Sequence, residues 1–323
     1  MDELVTTRTG ISRSHALGAF SSMVAGAFLA ARASAAGPML PLRVATQASD
    51  STGLVFYAQD MGFLHDAGLD VEITIMRNTA AQLAALLAGS IDIASTSFVT
   101  LATLKSRGLD VRMIAPSEIY VGKPTIVVMT PKASSVRSAA DFAGKTLAVN
   151  GLGDSLQTLL LSWLDANKGN SAATNFIEMP MPEIGVALRQ GRVDGGILAE
   201  PFATAAKADC RVVGDACSSV AKTFVMDGYC GNAAWLSQNR EAARRFAGAM
   251  NKAARWANAH RTETAAILAR YTKISADTVL DTVRATYGEN VMTDEVVQPV
   301  ITVAAKYLHL RDSIVAADLI WRS

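Results

Sequence analysis

Apolar and polar positions follow two alternating rhythms along this chain. Short β-branched or aliphatic runs at residues 42–46, 71–75, 91–94 and 111–115 have the length of strands. Between them lie stretches of helical period: one from the polar loop 47–52 to about Met61, then 79–88 and 98–106. The rhythm restarts with strands at 125–129, 146–149, 176–179, 195–199 and 211–213, and helices at 138–142, 155–167 and 182–190. Residues 224–229 read as extended. After them helices dominate, at 240–260, 262–271, 275–287 and 294–307, with Ser275 and Asp294 placed to cap the last two. Strands alternating with helices of about ten residues predict an α/β fold built from βαβ units around mainly parallel sheets.

One pattern occurs once in each βαβ block. Gly89-Ser90-Ile91-Asp92 and Gly191-Arg192-Val193-Asp194 both close a helix with glycine and open a strand with an aspartate. Two analogous lobes would carry such a repeat.

The N-terminus changes the setting. Arg8 and Arg13 precede an uncharged small-residue run, 16–31, and Ala33-Ser34-Ala35 has the form a signal peptidase accepts. Residues 1–35 therefore read as a cleaved signal peptide, and the mature chain as periplasmic. A run of about 16 residues is short for a membrane span, which needs about 20. The arginines are not adjacent and no cysteine stands at the cleavage point, so neither a twin-arginine route nor a lipid anchor is indicated.

A hydrophobic fraction of 50% supplies a large core, and a formal charge of +1 offers no basic face for nucleic acid. Of Cys210, Cys217 and Cys230, the first two are the candidate disulfide pair; buried free thiols are the alternative. The spacing fits no zinc site. Catalysis has little support. His15, His65, His260 and His309 form no H-x-x-x-H pair, and there is no G-x-S-x-G elbow. No cofactor is expected.

Four segments together resemble the periplasmic solute-binding proteins of ABC importers of the nitrate, sulfonate and taurine type. They are Gln59–Glu72, Gly89–Ala94, Ser138–Val149 and Gly191–Phe202, in the family's order and spread over nearly all of the mature chain. The resemblance implies a type II periplasmic-binding fold with ligand held between two lobes. It places the crossing strands near 125–129 and 223–229. One lobe is then 36–124 with 224–323, and the other 125–223. It also implies a small-molecule ligand, an inner-membrane ABC permease as partner and a monomeric chain. The alternatives are a pyrimidine-precursor-synthase-like enzyme on the same fold and a receptor for a membrane sensor.

In open parallel sheets ligands bind beyond the carboxyl ends of strands, where helix N-termini offer unpaired amides. That rule selects Ser49, Asp50, Ser51, Thr52, Asn78, Thr79, Ser95, Thr96, Ser97, Gly151, Gly153, Asp154 and Ser155 as candidate ligand-binding residues. Glu118, Tyr120, Glu200 and Asp227 join them from the strand ends and crossings. Gly153 is expected to let the backbone approach the ligand. Ordinary helix capping is the competing role for the polar residues. Acids at Asp50, Glu118, Asp154, Glu200 and Asp227 would disfavour a bare anion and suit a ligand with an amine or protonated heterocycle, unless they pair with Arg77, Lys123 or Arg189 or cap helices. Phe56, Tyr57, Tyr120, Phe202 and Tyr229 are candidates to flank the ligand, with core packing the alternative.

Overall fold

The structure, a computed structural model, describes residues 38–76, 79–310 and 313–322. The signal-peptide reading of residues 1–35 and the candidate Asn78 lie outside the described residues.

Three βα steps open the chain: β1 (Leu40–Thr46), α1 (Leu54–Asp60) and α2 (Phe63–Asp66), β2 (Leu69–Ile75), α3 (Thr79–Leu87), β3 (Ile93–Ser97), α4 (Phe98–Ser106) and β4 (Val111–Pro116). A two-residue strand, β5 (Ile119–Tyr120), leads to β6 (Ile126–Pro131). Next come β7 (Thr146–Val149), α5 (Ser155–Ala166), β8 (Asn175–Glu178), α6 (Met181–Arg189), β9 (Gly195–Ala199), α7 (Phe202–Ala206) and β10 (Cys210–Asp215). The chain returns through β11 (Phe224–Val225) to β12 (Asp227–Asn232). It finishes with helices α8 (Ala233–Gln238), α9 (Arg240–Ala259), α10 (Arg261–Thr272), α11 (Ala276–Leu280), α12 (Asp294–Leu308) and α13 (Ala316–Leu319).

These strands form two five-stranded sheets, ordered β2-β1-β3-β12-β4 and β10-β6-β9-β7-β8. Each has a parallel trio from its βαβ units, β2-β1-β3 and β8-β7-β9. The strand arriving from the other half of the molecule joins each trio antiparallel: β12 beside β3, β6 beside β9. The sheets are thus mixed rather than mainly parallel, because a strand returning from a crossing runs against its new neighbours.

The connection between the sheets is a small antiparallel ladder of β5 with β11, in which Tyr120 pairs with Phe224 and Ile119 with Val225. The expected first crossing at 125–129 is corrected. Residues 126–131 are an interior strand of the second sheet, and the crossing ladder lies at Ile119–Tyr120. A two-residue strand is too short to register as a period, whereas the apolar run of β6 stands out.

The repeated glycine–aspartate pattern does the same work in both halves. Gly89 and Gly191 take positive φ, and the following amides, Ser90 and Arg192, close the helices onto Ala85 and Ala187 carbonyls, each at 3.0 Å. Asp92 then accepts the Arg43 amide of β1 at 2.8 Å, and Asp194 accepts the Thr146 amide of β7 at 2.9 Å. Each aspartate fixes the parallel register of the strand it opens.

α9 shows how the C-terminal helices serve the first sheet. Its buried residues, among them Ala242, Phe246, Ala249, Met250 and Ala253, fall at three- and four-residue spacing and pack on α1 and β4. Small alanines let the helix lie close.

Two other expectations fail locally. The helix expected over 275–287 stops at Leu280, because Arg284, Ala285 and Tyr287 turn to serve a buried carboxylate described below. Ser275 does cap α11, accepting the Thr278 amide at 3.2 Å, but Asp294 is the first residue of α12 and Thr293 precedes it as cap.

All three cysteines are free and buried. Cys210 begins β10, and its five further residues at ~3.3 Å each carry the chain far beyond the ~7 Å limit for a bridge before Cys217 is reached. The candidate Cys210–Cys217 pairing is therefore corrected: the Cys217 sulfur packs 3.6 Å from that of Met226. Among the described residues no helix is long and apolar enough to cross a membrane.

Candidate functional site

The C-terminal ends of the parallel strands in both sheets open onto one cavity of about 730 Å³. The first sheet contributes the loop after β1, with Gln47, Ser49, Ser51 and Thr52, and the β2–α3 turn, with Met76 and Thr79. The second contributes Asn150, Asp154 and Ser155 after β7, Pro180 to Glu183 at the head of α6, and Phe202 after β9. Asp227 enters at the start of β12, and Tyr271, Thr272 and Ile274 close one side. The volume suits a small molecule. Both walls are made of loops entering helices, which is where α/β sheets present backbone dipoles and capping side chains.

Residues 49–264 match the family described as NMT1/THI5 like. The chain belongs to the NMT1/THI5-like family. Solved structures agree in fold. The zinc-bound ligand-binding component of an ABC-type import system from Staphylococcus aureus superposes with a TM-score of 0.76 at 17% identity, covering 87% of this chain and 96% of that one. The periplasmic aliphatic sulphonate binding protein SsuA from Escherichia coli gives 0.73 at 19% identity, covering 88% and 93%. The periplasmic nitrate-binding protein NrtA from Synechocystis PCC 6803 gives 0.67 at 16%, covering 76% and 70%. A search of curated proteins finds no match to this chain.

In this NMT1/THI5-like chain the loop after β1 is held by its own hydroxyls. Ser49 lies 3.1 Å from Ser51 and 2.9 Å from Thr52, and the Thr52 hydroxyl donates to the Gln47 carbonyl at 2.8 Å. The buried Tyr229 hydroxyl donates to the Thr52 carbonyl at 2.8 Å and accepts the Val55 amide at 2.9 Å. Gln47 donates to the Thr79 hydroxyl at 2.9 Å, tying two cavity loops together.

The predicted candidates separate into two groups. Ser49, Ser51, Thr52, Thr79, Asp154, Ser155 and Asp227 line the cavity. The others that the structure describes do not. Asp50 turns inward, where Arg284 donates to its two oxygens at 2.8 and 3.0 Å and the Ala285 amide adds a third bond at 2.8 Å. Ser95 bonds Gln82 at 2.9 Å, Thr96 is buried, and Ser97 caps α4 by accepting the Thr100 amide at 3.2 Å. Glu118 is buried against the Thr125 hydroxyl at 2.5 Å, and Tyr120 donates to Asp215 at 2.7 Å. Glu200 accepts from Thr204 at the head of α7. Apart from Thr96, whose buried hydroxyl has no partner among the described residues, these are internal polar contacts and caps, so side-chain direction separates them from the cavity.

Gly151 and Gly153 also lie off the cavity lining. Gly153 has φ of +72° and open space where a side chain would stand, so the turn conformation requires glycine there, not close approach of a ligand. Of the aromatic candidates only Phe202 reaches the cavity; Phe56, Tyr57, Tyr120 and Tyr229 are core residues.

Sequence reasoning missed Pro180, Met181 and Pro182, although prolines opening a helix just after β8 satisfy the same strand-end rule. It also missed Tyr271 to Ile274. No local signal marks those: they sit at the C-terminal end of α10 and just beyond it, far in sequence from the strand-end loops, with Tyr271 stacked on Phe56 at 3.9 Å.

Two carboxylates dominate the cavity's electrostatics. Asp154, the N-cap of α5, accepts the Gln157 amide at 3.0 Å, yet burial pushes its carboxyl up to about 7. Glu178 and Asp227 reinforce that shift. Burial likewise pushes Asp227 up to about 6, opposed by a hydrogen bond from the Ser51 hydroxyl. Among the described residues lining the cavity there is no Lys, Arg or His. None of the three cysteines lines it either, which leaves no thiol nucleophile at this site.

Proposed function

We propose that this chain is the periplasmic solute-binding component of an ABC importer, which captures a small organic solute between its two sheets and presents it to an inner-membrane permease. The observation that carries the reading is the shared cavity: two structurally equivalent walls face one space of about 730 Å³, with the β5–β11 ladder running between their sheets. On this reading residues 36–124 with 224–323 form one lobe and 125–223 the other, with β5 and β11 as the hinge.

Solute touches both walls only in the closed form, so binding shifts the population towards closure. The Staphylococcus import-system component and the Escherichia sulphonate-binding and Synechocystis nitrate-binding proteins support the same role. The chain works as an exported monomer and is not an enzyme.

The test is solute capture without chemistry. Purified mature protein is mixed with candidate solutes, closure is followed by small-angle scattering, and the solute is recovered and inspected by NMR. Saturable binding with a smaller radius of gyration and unchanged solute is expected. Turnover of the solute, or binding with no change in shape, contradicts the proposal.

A further inference from the structure

We propose that the cavity selects a solute with a cationic nitrogen, such as a protonated amine or amidine on a mainly apolar body, held between Asp154 of one wall and Asp227 of the other. The inference rests on the solute-binding reading above and names the ligand class of that site.

Three observations carry it. First, the described lining has two opposed carboxylates, with Glu183 beside them, and no basic side chain. An anion entering this space would meet like charges in surroundings that screen them poorly.

Second, several donors that could seat an oxyanion are already engaged. The α5 N-terminus, the natural anion seat in the second wall, is filled by Asp154's own carboxylate. The α6 N-terminus presents Pro182, which has no N–H. At α7 the Thr204 amide donates to Glu200, and at α1 the Val55 amide donates to Tyr229. In the first wall the Thr52 hydroxyl donates to Gln47 and the Ser51 hydroxyl serves Asp227.

Third, the remainder of the wall is apolar. Ile75, Met76, Ile126, Leu156, Met181 and Phe202 would enclose a hydrocarbon or aromatic body. A cation seated between the two carboxylates also explains why one acid is supplied by each wall: only the closed form brings both to the same nitrogen. Burial has made both acids expensive to ionise, and a bound cation relieves that.

Matched probes decide it: benzamidine, benzenesulfonate and benzyl alcohol share a ring and differ in charge. Calorimetric titration of the mature protein at pH 8 is expected to show binding of benzamidine, no binding of benzenesulfonate or nitrate, and at most weak binding of benzyl alcohol. Asp154→Asn keeps a good helix cap and Asp227→Asn keeps shape. Each is expected to weaken benzamidine roughly 10- to 100-fold. Melting curves confirm that both variants fold. If benzenesulfonate or nitrate binds tighter than benzamidine, the inference fails while the solute-binding reading stands. If neither charged probe binds, or if both variants bind benzamidine like wild type, the inference fails and capture without turnover still judges the wider reading on its own readout.

Discussion

Two buried acids, Asp50 and Glu118, resolve their charge differently. Asp50 is held by the Arg284 guanidinium, the Ala285 amide and the Tyr57 and Tyr287 hydroxyls. Among the described residues the Glu118 carboxylate accepts from the Thr125 hydroxyl alone. Its carboxyl is pushed up to about 8, chiefly by burial and further by Asp227 and Asp50. An acid whose proton is held more tightly in the folded chain stabilises the fold below its usual 4.5 and loses that contribution as pH climbs to about 8. Glu118→Gln keeps the acceptor for Thr125 without the ionisation. Urea unfolding should therefore find the variant equal to wild type near pH 4.5 and more stable by roughly 1–3 kcal/mol at pH 8. Parallel stability curves across that interval would rule out Glu118 as the source. Asp50 and Glu118 also mark where residue-level reading stops. Strand-end loops are visible in a sequence, so Ser49, Thr52 and Asp154 could be selected. Which side chain turns inward depends on partners such as Arg284, 234 positions away from Asp50.

At the scale of elements, glycine and aspartate set both the ends of helices and the start of strands. The Asp92 and Asp194 bonds hold β3 against β1 and β9 against β7 where the parallel ladders begin. Removing either carboxylate leaves a strand amide without its partner. Asp194→Ala and Asp92→Ala are each expected to cost about 1–2 kcal/mol in chemical denaturation, with Asp92 the larger because Arg43 also grips it through its side chain at 2.7 and 3.1 Å. Equal and negligible effects would reduce the repeat to coincidence of turns. This pattern was legible because it is local: a helix end, a turn and a strand start within six residues. The strands and most helices were legible for the same reason. The short ladder of β5 and β11 was not, nor was the early end of α11, whose following residues obey a carboxylate on another element rather than helical period.

The whole molecule adds a constraint that neither lobe has alone. One continuous apolar cluster contains Ala94 and Phe98 from the first sheet and its helix, Leu147, Val149, Leu159 and Trp163 from the second sheet and its helix, and Tyr120 and Phe224 from the β5–β11 ladder. α12 completes it. Val297, Val300, Ile301 and Ala304 are buried, and the helix packs on α4, α5 and β11, so one element touches both halves and their joint. Its far end is fastened by the Tyr307 hydroxyl, which donates to Asp165 of α5 at 3.0 Å. On the proposed reading, closure proceeds as a shear or small rotation that keeps this cluster packed, because opening it exposes apolar surface at about 25 cal/mol per Å². The same continuity governs unfolding. If the halves share a core they melt together, and calorimetry should give one transition whose van't Hoff and calorimetric enthalpies agree. Ile301→Ala, by hollowing the shared cluster, should lower stability by roughly 2–4 kcal/mol and move that single transition as a unit. Two resolved transitions in the wild type, or a variant that shifts only part of the heat absorption, would mean that α12 belongs to one lobe and that the halves are free to swing apart.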